Sequence, residues 1–279
     1  MKISNLLGVL VVFLAVVKGQ KKDEGSDDSE LLALVTVPDG PVIFSIEQVE
    51  QVAAPSTDKH LSKLKPKIAY DKVEPFEMAQ PSESTITEKA AIKFRPKLYI
   101  ANGCHAYPAV NKAGQISKGM KTADPTFATC GKPSKGTQVY GRSAWFGTVW
   151  AIMYAWYFPD IPLDWEYAIV WTNNPNVSNP VILGVTVSNS EGSTTSQTPP
   201  DPAMVDGRSV KIAYNNKGLE SSTTLGGTQN LVMWHQLTVE AQEALNKKAS
   251  FNGVQVPMND NHFLRNLEAS WPFSKEYLQ

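Results

Sequence analysis

Trp145-Phe146-Gly147-Thr148-Val149-Trp150-Ala151-Ile152-Met153-Tyr154-Ala155-Trp156-Tyr157 decides the fold class. The run is rich in aromatic and β-prone residues and is apolar on both faces, so it reads as a buried strand or as two strands broken near Gly147; periodicity alone does not choose between them. Working outward, short β-prone runs recur at 90–94, 98–100, 138–140, 167–171, 181–187, 210–214 and 231–234. Turn residues such as Asn102-Gly103, Gly131, Asn215-Asn216 and Gly226-Gly227 separate many of them. Many short strands at modest spacing predict a mainly β protein, a β-sandwich. Two helices are expected near the end. Thr238 can cap one over 239–248, with Leu237 as a staple before the cap. Asp260 or Asn261 can cap another, with Phe263, Leu264 and Leu267 along one face.

The 279 residues carry a formal net charge of −1, with 42% hydrophobic and 19% charged residues. This is ordinary for a globular protein and leaves room for one large domain or two small ones. Without a basic surface, no nucleic-acid partner is expected. Lys2, the apolar run 6–17 broken only by Gly8, and the small residue of Val17-Lys18-Gly19 predict a signal peptide over residues 1–19. The run is too short for a membrane span, which takes about 20 residues. Residues 20–30 are dense in Lys, Asp, Glu and Ser, and 47–67 are polar with Pro55 and Pro66. Residues 20–67 therefore read as a low-order linker or pro-segment, the alternative being a hairpin of 31–37 and 42–46 docked on the main domain. That domain is placed at 68–279, where the composition changes.

Secretion implies an oxidising route, and Cys104 and Cys130 are the only cysteines. Two cysteines in a secreted chain most simply pair with each other, the alternative being two buried free thiols. The closed loop would contribute about 3.5 kcal/mol through chain entropy. Asn176-Val177-Ser178 is a glycosylation sequon among Asn173, Asn174, Pro175, Asn179 and Pro180, which together read as an exposed turn.

No enzymatic activity is expected. The histidines, His60, His105, His235 and His262, form no close metal-binding pair. The sequence has no H-E-x-x-H, no G-x-S-x-G elbow and no Gly-rich phosphate loop. The chemistry-bearing stretch is Phe158-Pro159-Asp160-Ile161-Pro162-Leu163-Asp164-Trp165-Glu166. If a strand starts at Asp164, that residue and Glu166 share one face and Trp165 takes the other. With Asp160 they make a small acidic cluster suited to Ca²⁺ or Mg²⁺. Spacing alone favours a solvated acidic turn, because such ions take about six or more oxygens and three carboxylates are on offer.

Ala151, Ile152, Met153, Tyr154, Ala155, Trp156, Tyr157, Phe158 and Pro159 together resemble the A-I-M-Y-[SA]-W-Y-F-P core of the necrosis- and ethylene-inducing-peptide-like proteins. Asp71-Lys72-Val73 and Pro75-Phe76 resemble the start of that family's domain. Lys93-Phe94-Arg95-Pro96, Asn102-Gly103-Cys104-His105-Ala106-Tyr107-Pro108-Ala109-Val110, Gln138-Val139-Tyr140-Gly141-Arg142, Gly226-Gly227-Thr228-Gln229-Asn230-Leu231 and Ala244-Leu245-Asn246 are similar too. The similarity runs from about Ile68 to Phe273 and omits residues 20–67. It implies a central β-sandwich flanked by helices, actinoporin-like, with one disulfide between Cys104 and Cys130. It implies secretion by a plant-associated microbe into the host apoplast, and a role in virulence. It implies as partners a glycosylated inositol-phosphoceramide sphingolipid of the plant plasma membrane and a plant immune receptor that senses the A-I-M-Y segment.

The departures bear on toxicity. Toxic members need a divalent cation beside a G-H-R-H-D-W-E heptapeptide. Here only Asp164-Trp165-Glu166 survives, and Leu163 stands where the second histidine should be. Asp160 matches an aspartate that in the family lies well upstream; here only Ile161, Pro162 and Leu163 intervene. Asn216-Lys217-Gly218-Leu219 replaces a W-x-x-N-H-A-L pattern. The expectation is a non-cytolytic secreted effector with weakened or lost lipid binding. No cofactor is expected unless Asp160, Asp164 and Glu166 still hold calcium or magnesium. The alternatives are a weakly active, cation-dependent cytolysin causing necrosis, and an extracellular enzyme of unknown type.

Overall fold

The computed structural model describes residues 65–77, 85–120, 130–159, 163–189 and 192–274. The expected leader and nearly all of the expected linker lie outside them, as does Asp160. In chain order the elements are α1 (Ile86–Lys93), β1 (Lys97–Ile100), β2 (Gln138–Phe146), β3 (Val149–Phe158), β4 (Asp164–Thr172), β5 (Ile182–Ser188) and β6 (Thr194–Gln197). There follow β7 (Val205–Asp206), β8 (Ser209–Asn215), β9 (Gly218–Ser221), β10 (Asn230–Met233), α2 (Val239–Asn246) and α3 (Phe263–Ala269).

Gly147 and Thr148 turn the opening run back on itself, so the two-strand reading holds: β2 and β3 form an antiparallel hairpin with Phe146 opposite Val149. The larger sheet has six strands in the order β10-β2-β3-β4-β5-β6. The smaller has four: β8 sits between β1 on one side and β7 and β9 on the other. Every residue of β3 is buried. One of its faces, Ala151, Met153, Ala155 and Tyr157, packs with Trp165, Ile169 and Trp171 and with Ala241, Leu245, Phe263 and Leu267 of α2 and α3. The other, Trp150, Ile152, Tyr154, Trp156 and Phe158, packs with Leu98, Val210, Ile212 and Tyr214 of the smaller sheet and with Ala90 and Ala91 of α1. The strand is apolar throughout because it is covered twice: by helices on one side, by the second sheet and α1 on the other.

Four sequence expectations are corrected. Residues 90–94 belong mostly to α1 rather than to a strand. Thr85 Oγ1 accepts from the Glu88 amide (3.3 Å) and Glu88 Oε2 accepts from the Thr85 amide (2.6 Å). This capping box starts a helix whose alanines sit under Tyr154, whose hydroxyl donates to the Ala91 carbonyl (2.7 Å). The last helix is not capped by Asp260 or Asn261. Asn259 Oδ1 accepts from the Asn261 and His262 amides (both 3.0 Å), while Asp260 pairs with Arg142 (2.9 Å). In that helix Phe263 and Leu267 are buried, but Leu264 is 61% exposed. The other helix is as expected at its start, with Thr238 Oγ1 accepting from the Ala241 amide (3.3 Å), but it ends at Asn246.

Gly226 and Gly227 do more than turn the chain. Gly227 exchanges two backbone hydrogen bonds with Leu98 (2.8 and 3.0 Å). Gly226 lies so close to β1 that a Cβ there would sit 2.1 Å from the Leu98 carbonyl carbon. Cys104 and Cys130 are disulfide-bonded, and Tyr107 donates its amide to Tyr157 O at 2.9 Å, fixing the disulfide segment beside the end of β3.

Candidate functional site

β3 and β4 pair without a break from Trp150 opposite Thr172 to Phe158 opposite Asp164, which brings the acidic residues to one end of the larger sheet. Glu166 lies opposite Trp156 and Asp164 opposite Phe158, on the face that meets the smaller sheet. Trp165 points the other way, among Tyr140, Tyr157 and Phe251. The expected strand alternation is therefore present. Across the sandwich, the Tyr214 ring stacks on Phe158 (3.6 Å between centroids, 2° between planes), and its hydroxyl donates to Asp164 Oδ2 at 3.3 Å.

Asp164 is half-buried, whereas Glu166 is only 1% exposed. Ser188, the last residue of β5, donates its hydroxyl to Glu166 Oε2 and accepts the Tyr167 amide (2.7 Å). Glu166 Oε1 is buried with no hydrogen-bond partner among the described residues. Burial, and after it the negative charge of Asp164, push the Glu166 carboxyl up to about 8, against the opposing hydrogen bond from Ser188. At neutral pH this favours the neutral acid, which avoids burying a charge there.

A hard cation asks for more than this. Among the described residues, no three of His, Cys, Asp and Glu come together in a cluster able to hold a metal ion. The side-chain oxygens gathered here come from two carboxylates, one phenol and one serine hydroxyl, against the six or more oxygens that Ca²⁺ takes. Leu163, where an imidazole would stand, is 9% exposed, and its side chain fills the space over Gly119, where a Cβ would meet Leu163 Cδ2 at 2.1 Å. The described residues do not fit a calcium or magnesium ion.

The remaining candidates lie elsewhere. Ala151, Ile152, Met153, Tyr154, Trp156, Tyr157 and Phe158 are inside β3, and each is 0% exposed; Pro159 follows, also buried. Asn176 is exposed in the turn between β4 and β5. His235 Nε2 contacts Glu88 Oε1 (2.8 Å) and His262 Nδ1 contacts the Val256 carbonyl (3.2 Å). His105 is held below its usual range by burial and then by Lys132. Sequence reasoning missed Ser188 and Tyr214. Ser188 had one signal, a hydroxyl ending the β-prone run Val185-Thr186-Val187; Tyr214 had none, since only the sandwich brings it to Asp164.

Architecture and site together define a class first: a helix-flanked β-sandwich of the toxin fold, with the A-I-M-Y sequence as its central strand and D-W-E opening the next. The pattern of the Necrosis inducing protein (NPP1) family matches residues 88–270, and the chain belongs to that family. It is 47% identical over 219 residues to NLP effector protein Pc107869 of Phytophthora capsici, a match covering 74% of this chain and 63% of that protein. The crystal structure of the non-toxic HaNLP3 protein superposes with a TM-score of 0.69 at 38% identity, covering 73% of this chain and 99% of the other. NLPPya in complex with glucosamine superposes with a TM-score of 0.65 at 33% identity, covering 74% and 99%.

Proposed function

We propose that this chain is a secreted effector that engages plant tissue without lysing plant cells. The observation that carries the reading is the geometry of the acid pair: Glu166 is buried and bonded to Ser188, and Leu163 fills the place of an imidazole. A lytic site that works through a divalent ion needs several oxygens facing solvent, and at this end of the sandwich Glu166 is under cover and, of the pair, only Asp164 is partly open. The likeness to the non-toxic HaNLP3 protein supports the same reading. The disulfide supports an extracellular setting, in this reading the host apoplast. NLPPya with glucosamine supports a sugar-bearing partner at the plant surface, a glycosylated sphingolipid held weakly or no longer held. No catalysis is assigned; His235 and His262 are each committed to a structural contact.

The A-I-M-Y segment makes an immune receptor the second partner, with a condition. β3 is covered on both faces and paired on both edges, so a receptor reads it only after the fold is cut or opened.

The test of lysis is infiltration of purified mature protein with millimolar calcium or magnesium into a susceptible dicot leaf, followed by conductivity of the bathing solution. The expected leakage equals that of buffer. Rapid leakage that a chelator abolishes overturns the proposal in favour of a cytolysin.

A further inference from the structure

The four asparagines of the turn between β4 and β5 are not used alike. Asn173 Oδ1 accepts from the Val181 amide (2.8 Å), and Asn174 Oδ1 accepts from the Asn176 amide (2.9 Å). Asn179 Oδ1 accepts from the Arg208 guanidinium, which also donates to the Pro180 carbonyl. Three carboxamides thus hold the turn together. The fourth, Asn176, is exposed and has no side-chain hydrogen bond to any described residue, and the sequon hydroxyl of Ser178 is exposed two residues on. Val177 between them is 43% exposed, as is Val181. The turn continues the row that runs across the sheet from Trp145, 47% exposed, through Trp150 to Thr172. This end of the sandwich is accessible and carries more apolar surface than a loop needs.

We propose that Asn176 carries an N-linked glycan. A transferase can reach the one carboxamide the turn does not use, with Ser178 where its recognition needs a hydroxyl. In the transfer, Asn176 Nδ2 forms a bond to the anomeric carbon of an oligosaccharide carried on a lipid diphosphate. The bond from that carbon to the diphosphate oxygen breaks, the lipid diphosphate leaves with the electron pair, and one amide proton passes to a base of the transferase. The disulfide independently points to the same secretory route. The acid pair stands at the other end of β4, whose nine residues at about 3.3 Å each put on the order of 25 Å between the two sites. The sugar therefore shields the Trp145, Val177 and Val181 end and leaves the acid-pair end bare. The inference does not depend on whether that end lyses membranes.

The test is made on the full chain secreted from a eukaryotic host. Peptide mapping by mass spectrometry, with and without peptide:N-glycosidase F in heavy-oxygen water, should find Asn176 glycosylated, and labelled as aspartate after the enzyme. Ser178→Thr, which keeps the hydroxyl, should keep the glycan; Ser178→Ala and Asn176→Gln should both lose it. A secreted wild-type chain with its disulfide formed and Asn176 wholly unmodified overturns the proposal, whatever the variants do. So does a glycan that persists in Ser178→Ala.

Discussion

Glu166→Gln tests the acid pair most directly. The carboxyl titrates at about 8 in the folded protein, against a reference value of 4.5. Below pH 4.5 both states hold the proton, and the residue imposes no pH-dependent penalty. As pH rises towards 8, the unfolded chain gives up its proton while the folded one keeps it, so stability falls by about 1.4 kcal/mol per pH unit, to a ceiling of about 5 kcal/mol. Glutamine keeps the shape, keeps an acceptor for Ser188, places an amide donor near the Asp164 carboxylate and does not titrate. The variant should match the parent near pH 4.5 and exceed it at pH 8 by several kcal/mol. Urea titrations followed by tryptophan fluorescence at pH 4.5, 6.5 and 8 measure the gap. Parallel pH profiles, or a variant weaker at every pH, would refute the buried-acid argument. Repeating the pH 8 titrations with millimolar calcium adds a second reading: the parent midpoint should not move, because a cation bound only to the native state would raise it.

Gly226→Ala should cost about 2 kcal/mol or more, because the new methyl carbon meets backbone of β1 that no side-chain rotation can clear; thermal unfolding checks it, and an unchanged midpoint contradicts the close approach. For immune sensing, a synthetic peptide of residues 151–159 should trigger ethylene release from responsive leaves. The intact disulfide-bonded protein, given with protease inhibitors, should stay silent until it is digested. An equal response from undigested protein would mean that β3 is reached in place.

What could be read from the chain depended on whether the cause was local. The sandwich was legible because alternating runs and turns are local signals, and β3 announced its double burial by being apolar at every position. The failures were also local rules in competition. At 90–94 the β-prone run Ala90-Ala91-Ile92 lost to the capping box of Thr85 and Glu88, which was visible in T-x-x-E five residues upstream. At the last helix, the two candidate caps were Asp260 and Asn261, and Arg142, distant in sequence, drew Asp260 away from the role. The acid pair was half legible. Alternation put Asp164 and Glu166 on one face, but the raised carboxyl of Glu166 comes first from burial under a second sheet, against the hydrogen bond from Ser188 on another strand, and neither of those is encoded near residue 166.

The same division separates the pairing of β3 with β4 from the connection that joins them. The register of β3 and β4 is fixed by side chains buried on both faces; a slip of one residue would exchange Trp156 and Phe158 with Ala155 and Tyr157 between two differently shaped cores. The register so chosen puts Phe158 opposite Asp164, whatever the connection between the strands contributes. Leu163 packs over Gly119, where a polar side chain would have needed water or an ion for company.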